Sequence, residues 1–500
     1  MLIDSLNHHC IDRPTSNAII SRKSTYAFRR LAEDVQKLSC GLLAQGIRAG
    51  DRVALHMTNI PELLVSYYAC FSIGAIAAPL NIRLKTPELR SLLSRLRPAI
   101  YLGEAQLYTQ VAAVESEILP EGARFVLDAG DDAGARNWAW LLEEAKSHID
   151  CSQKCSDPDA IAVLLTTSGT TGQPKFVTHT HATLSAFSRI IGRLGLDRAE
   201  IPLVAMPLVH VAALVSSIYC IEIGVPMTLL ERFDADAVLD AIELDGCSWM
   251  IGTPVMFAEM IARQRASSRD LSTLRLCRSV GDVCPIAVQR AFPEVFGIPL
   301  CSFWGSTETG AFAHGLQLGP VSRIPPEMEV RLVDDHGAPV ADGAVGEMLV
   351  RGPSVTPGYW IGPNCIEDPK SDDWFPTGDL VRRGVGDELW FVSRKRDLIV
   401  RGGSNISPAE VEQVLLSHPA VSDAAVFGIP DTIQGQQVAA LVHLAGEMGE
   451  NTLDDIMTYA RASLADYKIP ERLEVVREIP RNALGKVDRK MLQKFISGSQ

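Results

Sequence analysis

The sequence predicts an α/β protein with a large N-terminal domain of parallel α/β sheets and a smaller α+β C-terminal domain. Three observations support this fold class. Strand-like and helical segments alternate up to about residue 300, which favours parallel sheets covered by helices. After about residue 325 short strands alternate with Gly and Pro, which is typical of a β-rich subdomain. From Asp397 onward, a compact unit mixes helices with strands.

Within the first 300 residues, a turn at Ala49-Gly50-Asp51 precedes a strand predicted at residues 53–56. A helix is predicted to begin at Pro61, because proline is favoured in the first helical turn, and the segment closes at Pro79. A further apolar strand is predicted at residues 161–165. This alternation of elements is the basis for the parallel sheets.

The later part of the chain divides into a β-rich subdomain, about residues 325–395, and a small domain. In the subdomain we expect two strands around the turn 334–337. In the small domain a helix should follow the capping box that begins at Ser407, and Ile456 and Ala460 share one face of a second helix. The charged run 394–397 suits an exposed junction, which gives domains 1–395 and 396–500.

Composition excludes several classes of protein. The 500 residues are 47% hydrophobic and 21% charged, as in ordinary globular proteins. The net charge of −13 argues against a nucleic-acid binder. The N-terminus lacks a basic region followed by an apolar run, and the 11 cysteines form no CxxC pair, so we expect a cytoplasmic protein with reduced thiols. The longest apolar stretch, 209–230, is interrupted by polar residues and should be buried protein, with no membrane span.

The strongest chemical signal is the segment LLTTSGTTGQPK at residues 164–175. An apolar strand leads into small hydroxylated residues and glycines, whose backbone N–H groups can converge on phosphate oxygens, and Lys175 adds a positive charge. The pattern differs from the common P-loop, because Pro174 precedes the lysine and Phe176 follows it. The alternative interpretation is a flexible surface loop.

With this segment the chain resembles the adenylate-forming superfamily, which includes acyl- and aryl-CoA ligases, peptide-synthetase adenylation domains and beetle luciferases. The resemblance covers roughly residues 25–490 and rests on six motifs in family order. They are LLTTSGTTGQPK (164–175), MPLVHVAAL (206–214), SFWGSTETG (302–310), WFPTGDL (374–380), SRKRDLIVRGGSNISPAEVE (393–412) and IPRNALGKVDRK (479–490). One such match is weak, but six in order make chance negligible.

The resemblance implies the adenylating fold of this superfamily and a two-step reaction that uses ATP, Mg²⁺ and CoA. A carboxylate attacks the α-phosphorus of ATP and releases pyrophosphate, and a thiol then attacks the acyl-adenylate. Since both reactants of the first step are anions, catalysis is mostly positioning and charge neutralisation. Between the steps the small domain would move as a lid about a hinge at Arg396, bringing Gly402 and Gly403 beside the CoA thiol.

The resemblance also assigns roles to single residues. Lys486 would neutralise charge between the carboxylate and the α-phosphate, and Glu308 would bind Mg²⁺ beside Thr307. Asp379 would accept hydrogen bonds from the ribose hydroxyls, Arg394 would add a ribose contact, and Trp304 would stack on adenine. The full ATP-binding set comprises Thr167, Ser168, Gly169, Thr170, Thr171, Gly172, Lys175, Gly281, Asp282, Phe303, Trp304, Gly305, Ser306, Thr307, Asp379, Arg394 and Lys486.

Some positions depart from the family pattern. Phe176 replaces the usual glycine after the loop lysine, and Arg396 stands where Asp or Lys is common. Asp282 stands where alanine is frequent. It either narrows the pocket or meets a polar group of the substrate, or else it caps the helix that follows Pro285.

The acid substrate is predicted from the acyl pocket. His210 is grouped with the catalytic residues Lys486, Glu308 and Thr307, and it also lines this pocket. The segment after it carries no acidic residue to hold an ammonium group, which disfavours an α-amino acid. The mostly apolar surroundings favour an aryl or medium-chain fatty acid; the pocket set is His210, Val211, Leu214, Thr253, Gly281 and Gly305.

Three alternatives stay open at this point. The acyl group could be loaded onto the thiol of a carrier protein, with CoA not involved. A catalytically silent binding protein on the same fold is a second alternative, although the intact Lys486, Glu308 and Asp379 count against it. The chain could act alone or as a homodimer.

Overall fold

The computed structural model of the chain describes residues 1–128, 134–144, 155–167, 174–314, 318–319, 321–363, 365–401, 404–431, 433–449, 452–481, 486–488 and 491–492. Its helices are α1 Leu2–Asp12, α2 Phe28–Ala44, α3 Pro61–Ile73, α4 Thr86–Leu96, α5 Ala105–Tyr108, α6 Trp138–Glu144, α7 His181–Gly192, α8 Val211–Ile223, α9 Ala235–Asp245, α10 Pro254–Ala266, α11 Ile286–Phe296, α12 Pro408–Leu416 and α13 Thr452–Ser463.

The strands of the first 302 residues are β1 Asn17–Ile20, β2 Thr25–Ala27, β3 Arg52–His56, β4 Ile76–Pro79, β5 Ile100–Glu104, β6 Arg124–Leu127, β7 Arg136–Asn137, β8 Ile161–Thr167, β9 Lys175–Thr180, β10 Pro202–Val204, β11 Met227–Leu229, β12 Trp249–Gly252, β13 Leu276–Ser279 and β14 Leu300–Ser302.

The later strands are β15 Gly305–Ser306, β16 Gly310–Ala311, β17 Ala313–His314, β18 Val321–Arg323, β19 Glu329–Val333, β20 Val345–Arg351, β21 Tyr359–Gly362, β22 Cys365–Glu367, β23 Phe375–Arg383, β24 Glu388–Arg394, β25 Ile399–Arg401, β26 Ser404–Ile406, β27 Val421–Asp431, β28 Gly435–Leu444 and β29 Arg472–Val475.

Two large sheets form the first part of the molecule, and most of their neighbouring strands run parallel, as predicted. Among the described strands, one sheet has the order β22-β21-β9-β8-β4-β3-β5-β6-β7 and the other β14-β13-β12-β10-β11-β1-β2. The pairs β3–β5, β12–β13 and β13–β14 are parallel, whereas β8 and β9 form an antiparallel hairpin. Helix α7 contacts both β9 and α8, and α8 contacts β10, so these helices connect the two sheets.

One predicted segment of this region is divided differently in the structure. The helix that begins at Pro61 ends at Ile73, and residues up to Pro79 form strand β4. The boundary is Gly74, which has a left-handed φ of 74°. Glycine adopts this conformation without a steric penalty and therefore ends the helix.

The β-rich part is an antiparallel sheet of β17-β18-β24-β23-β20-β19. Of the two strands expected around residues 334–337, the first is confirmed as β19, but the second is wrong. Strand β19 pairs with β20, and the residues after the turn form an isolated bridge, Val333–Pro339. The Asp334 side chain explains the difference. Its Oδ1 accepts hydrogen bonds from the backbone N–H groups of His336 and Ala338, both at 2.9 Å, which holds this segment as a loop.

The C-terminal residues form a separate sheet of β26-β25-β28-β27, with β29 beside β28, over its own apolar core. Helix α12 begins at Pro408 as predicted, and the Oγ atom of Ser407 accepts a hydrogen bond from Glu410 N at 3.3 Å. The Glu410 side chain contacts Lys468 Nζ at 2.6 Å. The domain boundary at residues 395 and 396 stays a prediction.

Two further expectations concern membranes and thiols. The apolar stretch 209–230 forms α8 and β11 in the buried core, and no helix in the described parts of the chain has the length and apolar character to cross a bilayer. Nine of the described cysteines are free thiols. Cys40 is disulfide-bonded, so the expectation of reduced thiols is wrong for this residue.

Candidate active site

Three neighbouring parallel strands carry predicted site residues at their carboxyl ends. Thr253 follows β12, Gly281 lies just beyond β13, and Phe303 follows β14. In open α/β sheets, ligands bind in crevices at this edge. Gly281 has a φ of 93°, a conformation that explains why this position needs glycine.

Trp304 and Asp379 are joined directly. The indole Nε1 of Trp304 donates a hydrogen bond to Asp379 Oδ2 at 2.7 Å, and the backbone N–H of Trp304 donates to Ser322 Oγ at 2.5 Å. The indole also packs edge-on against Phe312, with ring centroids 4.8 Å apart. The predicted adenine platform and the predicted ribose ligand therefore form one unit, which the sequence did not indicate.

Asp379 and Arg394 form a partly buried ion pair. They are register partners on β23 and β24, and Arg394 Nε lies 3.4 Å from Asp379 Oδ1. Burial raises the pKa of Asp379, although Arg394 and the Trp304 hydrogen bond oppose the rise. Burial alone would lower the pKa of Arg394, but the nearby carboxylates, Asp379 first among them, raise it overall.

Lys486 lies near Asp379 and Arg394, although it is 107 positions beyond Asp379 in the chain. It is partly buried, and it is close enough to Asp282, Glu308, Asp379 and Arg394 to interact electrostatically with each of them. Burial and then Arg394 lower the pKa of Lys486, while the three carboxylates raise it. The structure thus gathers the predicted lysine, acid and ribose residues from distant parts of the chain.

Glu308 has one neighbour that the sequence analysis did not identify, Tyr359. The hydroxyl of Tyr359 donates to Glu308 Oε1 at 3.4 Å, and the Lys175 Nζ lies 4.1 Å from the centroid of the Tyr359 ring. Tyr359 therefore connects the predicted phosphate lysine to the predicted metal ligand. Its only sequence signal is a position in the PGYW segment, within the β-rich region.

His179 is the second residue that was missed. Its Nε2 donates to the backbone oxygen of Thr307 at 2.7 Å, and its Nδ1 accepts from Thr183 Oγ1 at 3.1 Å. Burial lowers the pKa of His179 to about 4, so the ring is neutral and this pattern of one donor and one acceptor is maintained at neutral pH. His179 thereby fixes the main chain at Thr307.

The predicted phosphate loop is anchored by a strand pair. Thr167 at the end of β8 faces Lys175 at the start of β9. Between them, Ser168, Gly169, Thr170, Thr171 and Gly172 lie outside the described residues, as do Gly402 and Gly403. Phe176, which replaces the family's glycine, is buried edge-on against Trp360 at 5.6 Å, and the guanidinium of Arg95 lies 5.1 Å from its ring centroid. Packing accounts for this departure.

His210 caps helix α8, and its Nδ1 accepts a hydrogen bond from Ala212 N at 3.3 Å. Burial, with a smaller contribution from Lys486, lowers the pKa of His210 to about 4. The ring is therefore neutral at pH 7 with its proton on Nε2, which can donate a hydrogen bond into the cleft.

The remaining predicted residues lie on helix α8, in a short hairpin, before helix α11 and beside Lys395. Val211 and Leu214 are buried on α8, and Gly305 and Ser306 form a short hairpin with β16. The helix-capping interpretation of Asp282 is wrong, because Pro285 is the N-cap of α11; Asp282 is exposed at the cleft. Arg396 is exposed next to Lys395, whose Nζ contacts Glu347 at 2.8 Å and Asp335 at 3.0 Å.

The residues present fit ATP and a hard cation. The Glu308 carboxylate can still accept ligands, because in the described residues its side chain has one hydrogen bond, the long contact from Tyr359. One carboxylate together with phosphate oxygens and water is a usual Mg²⁺ environment. The cations Lys175, Arg394 and Lys486 suit a polyanion in the same cleft.

Comparisons with known proteins give one family. The AMP-binding enzyme model matches residues 6–360, and the model for its C-terminal domain matches residues 410–486. The chain is 32% identical to an indoleacetate–CoA ligase of Aromatoleum aromaticum over 99% of this chain and 98% of the relative, and 31% identical to a feruloyl-CoA synthase of an Amycolatopsis species over 95% and 94%.

Solved structures agree with these matches. An anthranilate CoA ligase, AuaEII, crystallised with anthranoyl-AMP, superposes with a TM-score of 0.91 at 25% identity, covering 100% of this chain and 98% of that one. ATP-bound MatB from Rhodopseudomonas palustris gives a TM-score of 0.87 at 25% identity over 99% and 98% of the two chains.

Proposed function

Because the chain belongs to the AMP-binding enzyme family and is an AMP-forming acid–thiol ligase, we propose that it joins an aryl or medium-chain acid to CoA. The relatives supporting this proposal include CoA ligases for aryl and fatty acids. Their names favour CoA over a carrier-protein thiol as the acceptor. The observation that carries the proposal is the gathering of Lys486, Glu308, Asp379 and Arg394 in one cleft.

ATP is held by contacts with its three parts. Asp379 accepts hydrogen bonds from the ribose hydroxyls, and Trp304 stacks on adenine while orienting that carboxylate through its indole N–H. Lys175 and the loop that begins at Thr167 bind the β- and γ-phosphates. Arg394 screens the Asp379 charge and adds a ribose contact. Mg²⁺, held by Glu308, supplies charge neutralisation on the triphosphate when it is bound.

The first half-reaction brings two anions together. An oxygen of the substrate carboxylate forms a bond to the α-phosphorus, the bond to the bridging oxygen breaks, and pyrophosphate leaves with that oxygen. Lys486 neutralises the charge that develops between the two reactants, a contribution of roughly 3–4 kcal/mol for one well-placed donor. Neutral His210 donates from Nε2 to an oxygen of the substrate and borders the acyl pocket.

The acyl pocket favours an apolar acid. Val211 and Leu214 on α8, together with Thr253, Gly281 and Gly305, supply small and apolar walls near His210. In the second half-reaction the CoA thiol attacks the acyl carbonyl, and AMP departs with the oxygen of the broken mixed-anhydride bond. We propose that residues 396–500 turn about Arg396 for this step, so that Gly402 and Gly403 approach the thiol.

A pyrophosphate-release screen tests the proposed function. The purified chain is supplied with ATP, Mg²⁺ and a panel of aryl and aliphatic acids, and release is measured with and without CoA. Acid-dependent pyrophosphate release together with CoA-dependent formation of AMP and a thioester is expected. If no acid supports release, the proposal is wrong. If a phosphopantetheinylated carrier protein accepts the acyl group efficiently and CoA does not, only the proposed acceptor is wrong.

A further inference from the structure

Arg278 is a buried cation that the reaction described above does not use. It lies in the middle strand of the three that form the site edge, and it is 5% exposed. Its Nη1 donates to Cys277 O at 3.1 Å, while Nε has no hydrogen-bond partner. No carboxylate among the described residues forms an ion pair with it. By contrast, Arg275, three residues earlier, pairs with the buried carboxylate of Glu200.

The direction of the Arg278 side chain follows from the sheet. A Cβ on Gly252 would meet the Phe257 ring of α10 at 3.1 Å, so Gly252 faces that helix and Ile251 faces away from it. Arg278 is the parallel register partner of Ile251 and therefore shares its face. This is the inner face of the sheet, the face towards helix α7. A Cβ built on Gly195, which follows α7, would lie 3.8 Å from Nη2 of Arg278.

The inner face is the side of the proposed acyl pocket. Helix α8, which begins after His210, contacts both α7 and strand β10 of the same sheet. Arg278 precedes Gly281 by three residues, which corresponds to about 10 Å along the strand. An acid whose carboxylate lies between His210 and Lys486 and whose body runs inward along β13 would thus bring its far end towards Arg278.

An unpaired guanidinium at this depth is costly for the free protein. Charges are rarely buried without a partner, because the lost hydration is not replaced. Burial lowers the pKa of Arg278; the groups that oppose this shift are the thiols of Cys301 and Cys277, whose own pKa values are raised by burial, so both are neutral at pH 7. A ligand that brings a negative charge would supply the missing partner.

We propose that Arg278 binds a second anionic group at the far end of the acid substrate, so that the preferred substrate is a dianionic acid. This inference rests on the proposed function, and it refines the aryl or medium-chain acid to one with a distal carboxylate or sulfonate. The guanidinium offers planar, bidentate hydrogen bonding to such a group.

Matched acids test this inference by pyrophosphate release. Octanedioate is compared with octanoate, and 4-carboxycinnamate with cinnamate, because the members of each pair differ at the far end. The wild-type chain should prefer the diacid in at least one pair by about tenfold or more. Arg278→Met should lower kcat/KM for that diacid about 10²-fold and leave the monoacid unchanged or improved. Arg278→Lys should retain the preference for the diacid.

Arg275→Met is the matched control. It removes the arginine that directly precedes β13 and has a carboxylate partner, so it should lower thermal stability without changing the ratio of diacid to monoacid. Without ligands, the melting temperature of Arg278→Met should be no lower than that of the wild-type chain. Addition of the diacid and ATP should raise the melting temperature of the wild-type chain but not that of Arg278→Met.

The outcomes distinguish a wrong role for Arg278 from a wrong ligase function. Release with monoacids alone, or an equal loss for both members of each pair in Arg278→Met, overturns the role of Arg278 and leaves the ligase function intact. Collapse of Arg278→Met and Arg278→Lys in the absence of any acid shows a structural cation and also overturns it. Failure of every acid to release pyrophosphate overturns both.

Discussion

Replacing Trp304 by phenylalanine tests whether the adenine platform and the ribose ligand act as one unit. The change keeps an aromatic surface and removes the N–H that donates to Asp379 Oδ2 at 2.7 Å. A hydrogen bond to a charged group contributes about 1.5–3 kcal/mol. Because Arg394 still contacts the other carboxylate oxygen at 3.4 Å, we take the lower half of this range. The KM for ATP should therefore rise about 13- to 45-fold.

The assay is pyrophosphate release against ATP concentration across a range of pH. The Trp304 hydrogen bond lowers the pKa of Asp379, so its removal raises that pKa further. Ribose binding needs the ionised carboxylate, and the acid-side loss of ATP affinity should move to higher pH in Trp304→Phe. The effect should be smaller with 2′-deoxy-ATP, which offers Asp379 one hydroxyl fewer.

A double-mutant cycle with Asp379→Asn separates this coupling from general damage. If the two residues act together, the double variant should lose less than the sum of the single losses. An unchanged KM for ATP and an unchanged acid limb in Trp304→Phe would refute the reasoning. So would full additivity of the two substitutions.

Three further predictions follow from the site. Lys486→Ala should abolish adenylate formation while thioester formation from supplied acyl-AMP is retained, and an equal loss of both half-reactions would contradict the two-conformation proposal. Glu308→Gln should raise the Mg²⁺ concentration needed for half-maximal pyrophosphate release; an unchanged Mg²⁺ titration excludes the metal role. The free energy of unfolding, measured by urea titration, should decrease as pH falls from 6.5 towards 4, because the unfolded chain binds protons that the buried histidines exclude. His181→Phe should flatten this slope, since both ring nitrogens of His181 are buried without partners in the described residues, and an unchanged slope would argue against the assignment.

The fold was predictable where the local signal and the long-range packing agree. Residues 53–56 and 161–165 are apolar segments between turns and helices, and they lie in strands β3 and β8 of the same large sheet. Pro408 after Ser407 marked the start of α12 correctly. The segment after Val333 failed, because its strand-like residues follow an Asp334 side chain that satisfies the turn's backbone N–H groups. Such local competition is not visible in hydrophobic periodicity.

The candidate site residues that belong to short sequence motifs could be predicted. Glu308, Asp379 and Lys486 occur in recognisable sequence contexts, and in the structure both carboxylates are close enough to Lys486 to interact with it electrostatically. His179, Tyr359 and Arg278 carry no such context. Their environments exist only in the folded chain. His179 contacts the Thr307 carbonyl, Tyr359 contacts the Glu308 carboxylate, and Arg278 is buried without an ion-pair partner among the described residues.

The facing pair Thr167 and Lys175 also has an evolutionary consequence. Because a β-hairpin fixes these two residues opposite each other, the ends of the intervening segment stay about 5 Å apart whatever sequence joins them. Loop closure becomes only slightly more costly as a loop lengthens. Natural variation or laboratory grafting can therefore replace residues 168–174 as one segment while strands β8 and β9 stay unchanged.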